Sequence, residues 1–149
     1  MPTILLAEDD PDDALLMARA LGKLIADTAT AHGVHVVTDG EMATEYLLGT
    51  GPYADRDHHP FPDLVILDLH MPRRSGLEVL AWLRAQPIIG LLPTVVLTSS
   101  REAADMDRAS ELGVDSYLTK PSTAQGYDAV ARALSRYWLE SDEAESAGP

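Results

Sequence analysis

The chain contains no cysteine. Disulfides, thiolate metal centres and cysteine nucleophiles are therefore excluded, and a reducing compartment fits. Positive charge is scarce as well: 11 Lys and Arg stand against 24 Asp and Glu, a formal net charge of -13. Nonspecific nucleic-acid binding needs clustered Lys and Arg to neutralise phosphates, so no nucleic-acid partner is expected. Basic or cation-assisted partners suit the chain better. No apolar run approaches the roughly 20 residues that cross a bilayer. The opening MPTILLAEDDPDD has neither a basic leader nor a cleavable small-residue site. No membrane association and a cytoplasmic address are the expectations. What remains is 149 residues, 46% hydrophobic, enough for one sizeable core and too few for two full domains.

The most informative stretch is Asp63 to Gly76, DLVILDLHMPRRSG. An unbroken apolar run bounded by turn formers suits a strand buried on both faces, as in parallel sheets. Asp68 then stands at the mouth of a core strand. Alone, it reads equally as a turn-capping carboxylate. Earlier, Thr3 to Ala7 is a short apolar run followed by Glu8, Asp9 and Asp10. Pro11 opens a first helix whose stripe is Ala14, Met17, Ala18, Leu21 and Ile25, with Asp12 and Asp13 at the positive end of its dipole. Val34 to Val37 reads as a second strand and Met42 to Leu48 as a second helix. Residues 49–62, GTGPYADRDHHPFP, show no period and read as a long loop. There, His58 and His59 with Asp55 and Asp57 allow a metal site, although solvated histidines are the simpler reading. Gly76 to Ala85 forms a third helix, with Leu77, Leu80, Ala81 and Leu83 as its apolar residues. A fourth strand (Thr94 to Leu97) precedes a fourth helix (about Glu102 to Leu112), which stops at Gly113, a natural left-handed cap. A fifth strand (Val114 to Leu118) and a final helix (about Thr123 to Leu139) complete the pattern.

Five strands alternating with five helices imply a doubly wound α/β fold with a parallel sheet, because parallel crossovers are right-handed and need a helix. In the flavodoxin-like order 2-1-3-4-5, ligands gather beyond the carboxyl ends of the strands. Glu8 and Asp9 follow the first strand, Asp68 the third, Thr98 the fourth and Lys120 the fifth. Three carboxylates, a hydroxyl and an ammonium would meet at one edge. Two unit charges about 4 Å apart repel by about 4 kcal/mol at an effective dielectric near 20. A divalent cation removes that penalty, and an all-oxygen site favours magnesium, with manganese as the alternative. A cation beside a carboxylate and a lysine is what phosphoryl transfer needs, with Asp68 as the acceptor nucleophile. Asp10 lies one place beyond the acidic pair and is assigned to turn capping.

Taken together, AEDD at Glu8, ILDLHMPRRSG around Asp68, VLTSS at Thr98 and YLTKP at Lys120 resemble the receiver domain of two-component response regulators. The resemblance covers Thr3 to about Leu139. It implies that a histidine kinase phosphorylates Asp68, that Glu8, Asp9 and Asp68 hold magnesium together with the main-chain carbonyl of His70, and that Thr98 and Lys120 engage the phosphoryl group. It further implies that Thr98 and Tyr117 form the switch, and that His70 and Ser100 tune the lifetime of the phosphoryl group. Histidine is an uncommon choice at the first of those two places. The long loop, GPY and LPTVVLTSS resemble stand-alone receivers that serve phytochrome-type sensor kinases. The expected organisation is a receiver domain over residues 1–140, an acidic disordered tail over 141–149 and no output domain. Such a protein is a phosphoacceptor with slow self-dephosphorylation and not an enzyme in the usual sense. Tyr137 and Trp138 in the last helix are either core packing or a surface for a homodimer or partner. Two alternatives stay open: a receiver-like binding module independent of phosphorylation, and a metal-dependent phosphohydrolase. The latter needs a general-acid carboxylate two residues after the nucleophile, where this chain has His70.

Overall fold

The computed structural model describes residues 2–25 and 33–137. Its elements run β1 (Ile4–Ala7), α1 (Pro11–Ile25), β2 (Val34–Val37), α2 (Gly40–Leu48), β3 (Leu64–Leu67), α3 (Gly76–Arg84), β4 (Thr94–Thr98), α4 (Ala103–Glu111), β5 (Ser116–Thr119) and α5 (Ala124–Leu134). The five strands form one parallel sheet in the order β2-β1-β3-β4-β5, the flavodoxin-like arrangement expected.

The sheet works as a divider because strand side chains alternate between its faces. Leu5, Ala7, Val65, Leu67 and Val96 point to one face, against Ala43, Tyr46 and Leu47 of α2, Val79, Leu80 and Leu83 of α3, and Ala109 of α4. Ile4, Leu6, Leu64, Ile66, Val95 and Leu97 point to the other, against Met17, Ala20, Leu21 and Ile25 of α1 and Tyr127, Ala131 and Leu134 of α5. The three central strands are wholly buried, and each such aliphatic side chain contributes about 1.5–3 kcal/mol by leaving water. No helix among the described residues is long and apolar enough to cross a membrane.

Several sequence expectations shift in detail. The buried stripe of α1 includes Ala20 rather than Ala18, and in α3 the half-exposed Leu77 and Ala81 give way to fully buried Val79. The fifth strand starts two residues later than expected. Gly113, at φ 77°, reverses the chain, and Val114 N–H donates to Ala109 O at 3.1 Å, so Val114 closes the helix end instead of pairing in the sheet. Asp10 does cap α1, accepting from the N–H groups of Asp12 and Asp13 at 2.9 and 3.0 Å. Ser75 and Glu78 form a reciprocal capping box at the start of α3. α4 is the most thinly attached helix, burying only Ala109.

Residues 49–62 are more structured than the loop expected from sequence. A single 3-10 turn spans Gly51–Tyr53. Arg56 donates to Tyr46 O at 2.8 Å, Leu47 O at 3.0 Å and His59 O at 3.1 Å. It thereby sits on two carbonyls at the end of α2, a favourable position for a cation. Tyr46, fully buried, donates to Pro60 O at 2.9 Å.

Candidate functional site

Three of the site residues are placed by extending the sheet ladder one step past a strand, and Thr98 is the last residue of β4. Glu8 N–H donates to Val37 O (2.9 Å), Asp68 N–H to Ala7 O (3.0 Å) and Lys120 N–H to Thr98 O (2.9 Å). The backbone of all three is therefore fixed by the same hydrogen bonds that build the core. After Asp68 the chain turns tightly. Arg73 adopts φ 67°, the one non-glycine residue with positive φ among those described, and Gly76 N–H returns to Leu69 O at 3.0 Å.

The expected residues converge. Lys120 Nζ lies 2.7 Å from Glu8 Oε1, 2.8 Å from Asp68 Oδ2 and 3.0 Å from Asp13 Oδ2. Glu8, Asp68 and Thr98 are buried, whereas Asp9 is exposed at the mouth. Carboxylate oxygens of Glu8, Asp9 and Asp68 all fall within 4.8 Å of one another. Burial pushes Glu8 up to about 7 despite its bond to Lys120. Burial acts on Asp68 in the same sense, but the hydrogen bond and charge of Lys120 outweigh it and hold Asp68 below the usual carboxylate range. Lys120 is raised: its three carboxylate partners overcome the burial that opposes its charge. Asp68 is thus the ionised member of the buried pair at neutral pH, and Glu8 titrates near it. These are the opposing effects of desolvation and charge pairing.

Around this centre lie the remaining candidates. Thr98 Oγ1 accepts from Ser100 N–H at 3.2 Å. Ser100 Oγ donates to Asp105 Oδ2 at 2.5 Å. His70 is exposed, with Nε2 3.8 Å from the same Asp105 oxygen and its N–H 3.4 Å from Asp68 Oδ1. Tyr117 is half-buried and donates to Ser100 O at 3.2 Å, so its ring already lies against the β4–α4 connection. Tyr137 packs against the α1 and α5 side of the core, with its hydroxyl 2.8 Å from Ser116 Oγ. Trp138 and residues 141–149 lie outside the described residues.

The histidines of the 49–62 segment do not join a metal cluster. Exposed His58 pairs with Asp55 at 2.6 Å, while His59 packs edge-on to Tyr46 and Tyr53. Among the described residues, Glu8, Asp9 and Asp68 are the group able to hold a metal.

Three residues of the site were not singled out from sequence: Asp13, Tyr127 and Asp105. Asp13 had a readable signal, because it heads the same helical stripe as Met17, Ala20 and Leu21. An acid in register with buried apolar residues faces inward. Tyr127 is 1% exposed, and a tyrosine that deep needs a partner for its hydroxyl; it donates to Asp13 Oδ1 at 3.1 Å. Asp105 carries no comparable signal, being one of several acids on a polar helix.

Comparison with known proteins agrees with the fold. The response regulator Rcp1 of Synechocystis is 34% identical over 137 residues, 92% of this chain and 88% of its own length. The solved structure of the phosphorylated cyanobacterial phytochrome response regulator RcpA has a TM-score of 0.82 at 33% identity, covering 94% of this chain and 95% of that one. The Mn(2+)-bound form of response regulator Rcp1 has a TM-score of 0.78 at 31% identity, covering 94% and 96%. Residues 4–132 match the response regulator receiver domain family, and the chain belongs to that family.

Proposed function

We propose that this protein is a response regulator that takes a phosphoryl group from the phosphohistidine of a sensor kinase onto Asp68. The observation that carries the reading is the pairing of a buried, ionised Asp68 with Lys120 at 2.8 Å, beside two further carboxylates within 4.8 Å. The donor set fits a hard divalent cation, because it is all oxygen and Asp9 opens it to water. Glu8, Asp9 and Asp68 would hold magnesium or manganese, with the main-chain carbonyl of His70. When bound, the cation would offset negative charge on the transferred group.

The chain's own residues do the rest. An Asp68 carboxylate oxygen forms a bond to phosphorus as the phosphorus–nitrogen bond to the kinase histidine breaks, and the imidazole leaves with that electron pair. Lys120 attracts one phosphoryl oxygen, and the Thr98 hydroxyl donates to another. That second bond withdraws Thr98 from Ser100 N–H and alters the connection on which Tyr117 rests. The face made by α4, β5 and α5 then changes, and a partner that prefers one arrangement reads the state. The protein accepts a group and releases it without turning over a substrate. The phytochrome response regulator among its solved relatives favours a phytochrome-type kinase as donor.

Incubation with acetyl phosphate and magnesium is expected to add the mass of one phosphoryl group, mapping to the peptide that carries Asp68 and absent with excess chelator. No gain, or a gain mapping elsewhere, overturns the reading. With phosphorylated kinases as donors, a phytochrome-type kinase is expected to transfer faster than an unrelated one; the reverse order removes the pairing alone.

His70, whose backbone N–H lies 3.4 Å from Asp68 Oδ1, is proposed to tune the lifetime of the phosphoryl group, together with Ser100. The acyl phosphate of His70→Asn is expected to decay at a rate different from the parent by about threefold or more, a modest share of the 10²–10⁴ range of acid–base assistance. Equal lifetimes would show that His70 has no special part.

A further inference from the structure

Lys120 uses its full complement of donors on three carboxylates, and these differ in what else claims them. An ammonium has three N–H groups and no acceptor. One goes to Asp68, one to Glu8 and one to Asp13. Asp68 and Glu8 also belong to the cluster suited to a cation, whereas Asp13 does not. A cation entering that cluster competes with Lys120 for Glu8 and Asp68, and like charges push the ammonium away. Asp13 is the partner that no such change removes.

Asp13 is itself held from the far side. Its second oxygen accepts from the Tyr127 hydroxyl at 3.1 Å, and Tyr127 lies buried in α5 against α1. The phenol is raised by burial and by the adjacent Asp13 carboxylate, so it remains a donor across the neutral range. With one oxygen bound to Tyr127 and the other to Lys120, the carboxylate of Asp13 has its orientation fixed at both ends. It ties three separate segments together: the first turn of α1, the residue after β5 and the first turn of α5.

We propose that Asp13, oriented by Tyr127, is a positioning residue that keeps Lys120 aimed at Asp68 when a cation occupies the acidic cluster. This rests on Asp68 as the phosphoacceptor. Without Asp13, the lysine would follow whichever carboxylate the cation leaves available, or turn to solvent at the mouth. Asp13 touches neither the incoming group nor the reacting oxygen, and acts only through Lys120.

The chain has two lysines, Lys23 and Lys120, which makes a direct reading practical. Lys23 pairs with Asp128 on the surface and serves as an internal reference. Amine acylation of the folded protein in saturating magnesium, read by mass spectrometry, gives the ratio of Lys120 to Lys23 labelling. That ratio is expected to rise about tenfold in Asp13→Ala, the change equivalent to about 1.4 kcal/mol, and by less in Tyr127→Phe. Asp13→Asn, which keeps an oxygen but loses the charge, is expected to fall between. With acetyl phosphate as donor, the same variants are expected to lose rate at saturating magnesium by a larger factor than the half-saturating magnesium concentration rises. A merely structural role would not separate those two quantities.

Unchanged labelling ratios in Asp13→Asn and Tyr127→Phe, with melting transitions like the parent, overturn the proposal. So does a shift confined to magnesium affinity. If the parent itself gains no phosphoryl mass, the phosphoacceptor reading fails, and the labelling ratio still decides whether Asp13 positions Lys120. Should Asp13→Ala fail to fold, the Asn and Phe variants carry the measurement.

Discussion

Replacing Lys120 with methionine is expected to slow phosphorylation of Asp68 by about 10²-fold, the lower end of what removing one preorganised electrostatic donor costs. The lysine is 2.8 Å from Oδ2 of Asp68, the proposed acceptor, and is the cationic side chain nearest to it. Methionine conserves most of the stem and its packing, so the loss falls on charge rather than on shape. Stability should fall too, by about 2 kcal/mol, less than the 3–5 kcal/mol for an enclosed pair because the cluster opens to water at Asp9. Added magnesium should recover much of the stability, since it neutralises the same carboxylates, and little of the rate.

The pH dependence of that loss has a definite sign. In the parent, Asp68 is lowered on folding, so its contribution is present above its unfolded value and lost as pH falls through the folded one. Glu8 is raised from 4.5 to about 7, so its folded form holds a proton that the unfolded chain has released, and stability declines as pH rises across that interval. Without Lys120, Asp68 joins Glu8 in this second behaviour. The stability gap between parent and variant should therefore widen from pH 5 to pH 8 in the absence of magnesium, as thermal melts would show. A gap independent of pH, or an unaltered phosphorylation rate, contradicts the assigned role.

Gly76→Ala is expected to destabilise the fold by about 3 kcal/mol, the upper range for overpacking. That loss corresponds to roughly 10 °C in melting temperature for a domain of this size. A Cβ at Gly76 would sit 2.1 Å from Asp68 O and 2.9 Å from Leu69 Cα. Both are backbone atoms, so relief requires moving the main chain of Asp68 itself. The acceptor would shift relative to Lys120, and phosphorylation should decline along with stability. Gly22 in α1 is the contrasting case, with nothing within 4 Å of the point where a methyl would stand. Gly22→Ala should raise stability by about 1 kcal/mol through helix propensity. Denaturant titration of both variants checks the pair, and an equal response at the two positions would refute the steric account.

The strand ends were legible in the sequence because apolar runs stop at polar residues, and parallel topology forces those stops to one edge. Glu8, Asp68, Thr98 and Lys120 are all of that kind. Arg56 was not legible in its role: its guanidinium reaches back nine and ten residues to carbonyls at the end of α2, a link made by side-chain reach with no periodic signature. Val114 misled because an apolar residue beside a strand looks like part of it, whereas the left-handed Gly113 had already committed its N–H to α4. Asp13 was readable by helical register but was assigned only to the helix dipole. Its meeting with Lys120 requires knowing how α1 lies against α5.

α4 buries a single alanine, while Arg84 of α3 places its guanidinium on Leu92 O and Gly113 O, tying the segment before β4 to the turn after α4. The consequence is a separation of duties that matters to selection and to engineering. The bulk of the folding free energy sits in the central strands and in α1, α2, α3 and α5, where changes alter how long the protein survives. A reseating of α4 disturbs little of that reserve, so its outward face can diversify toward new partners without putting the fold at risk.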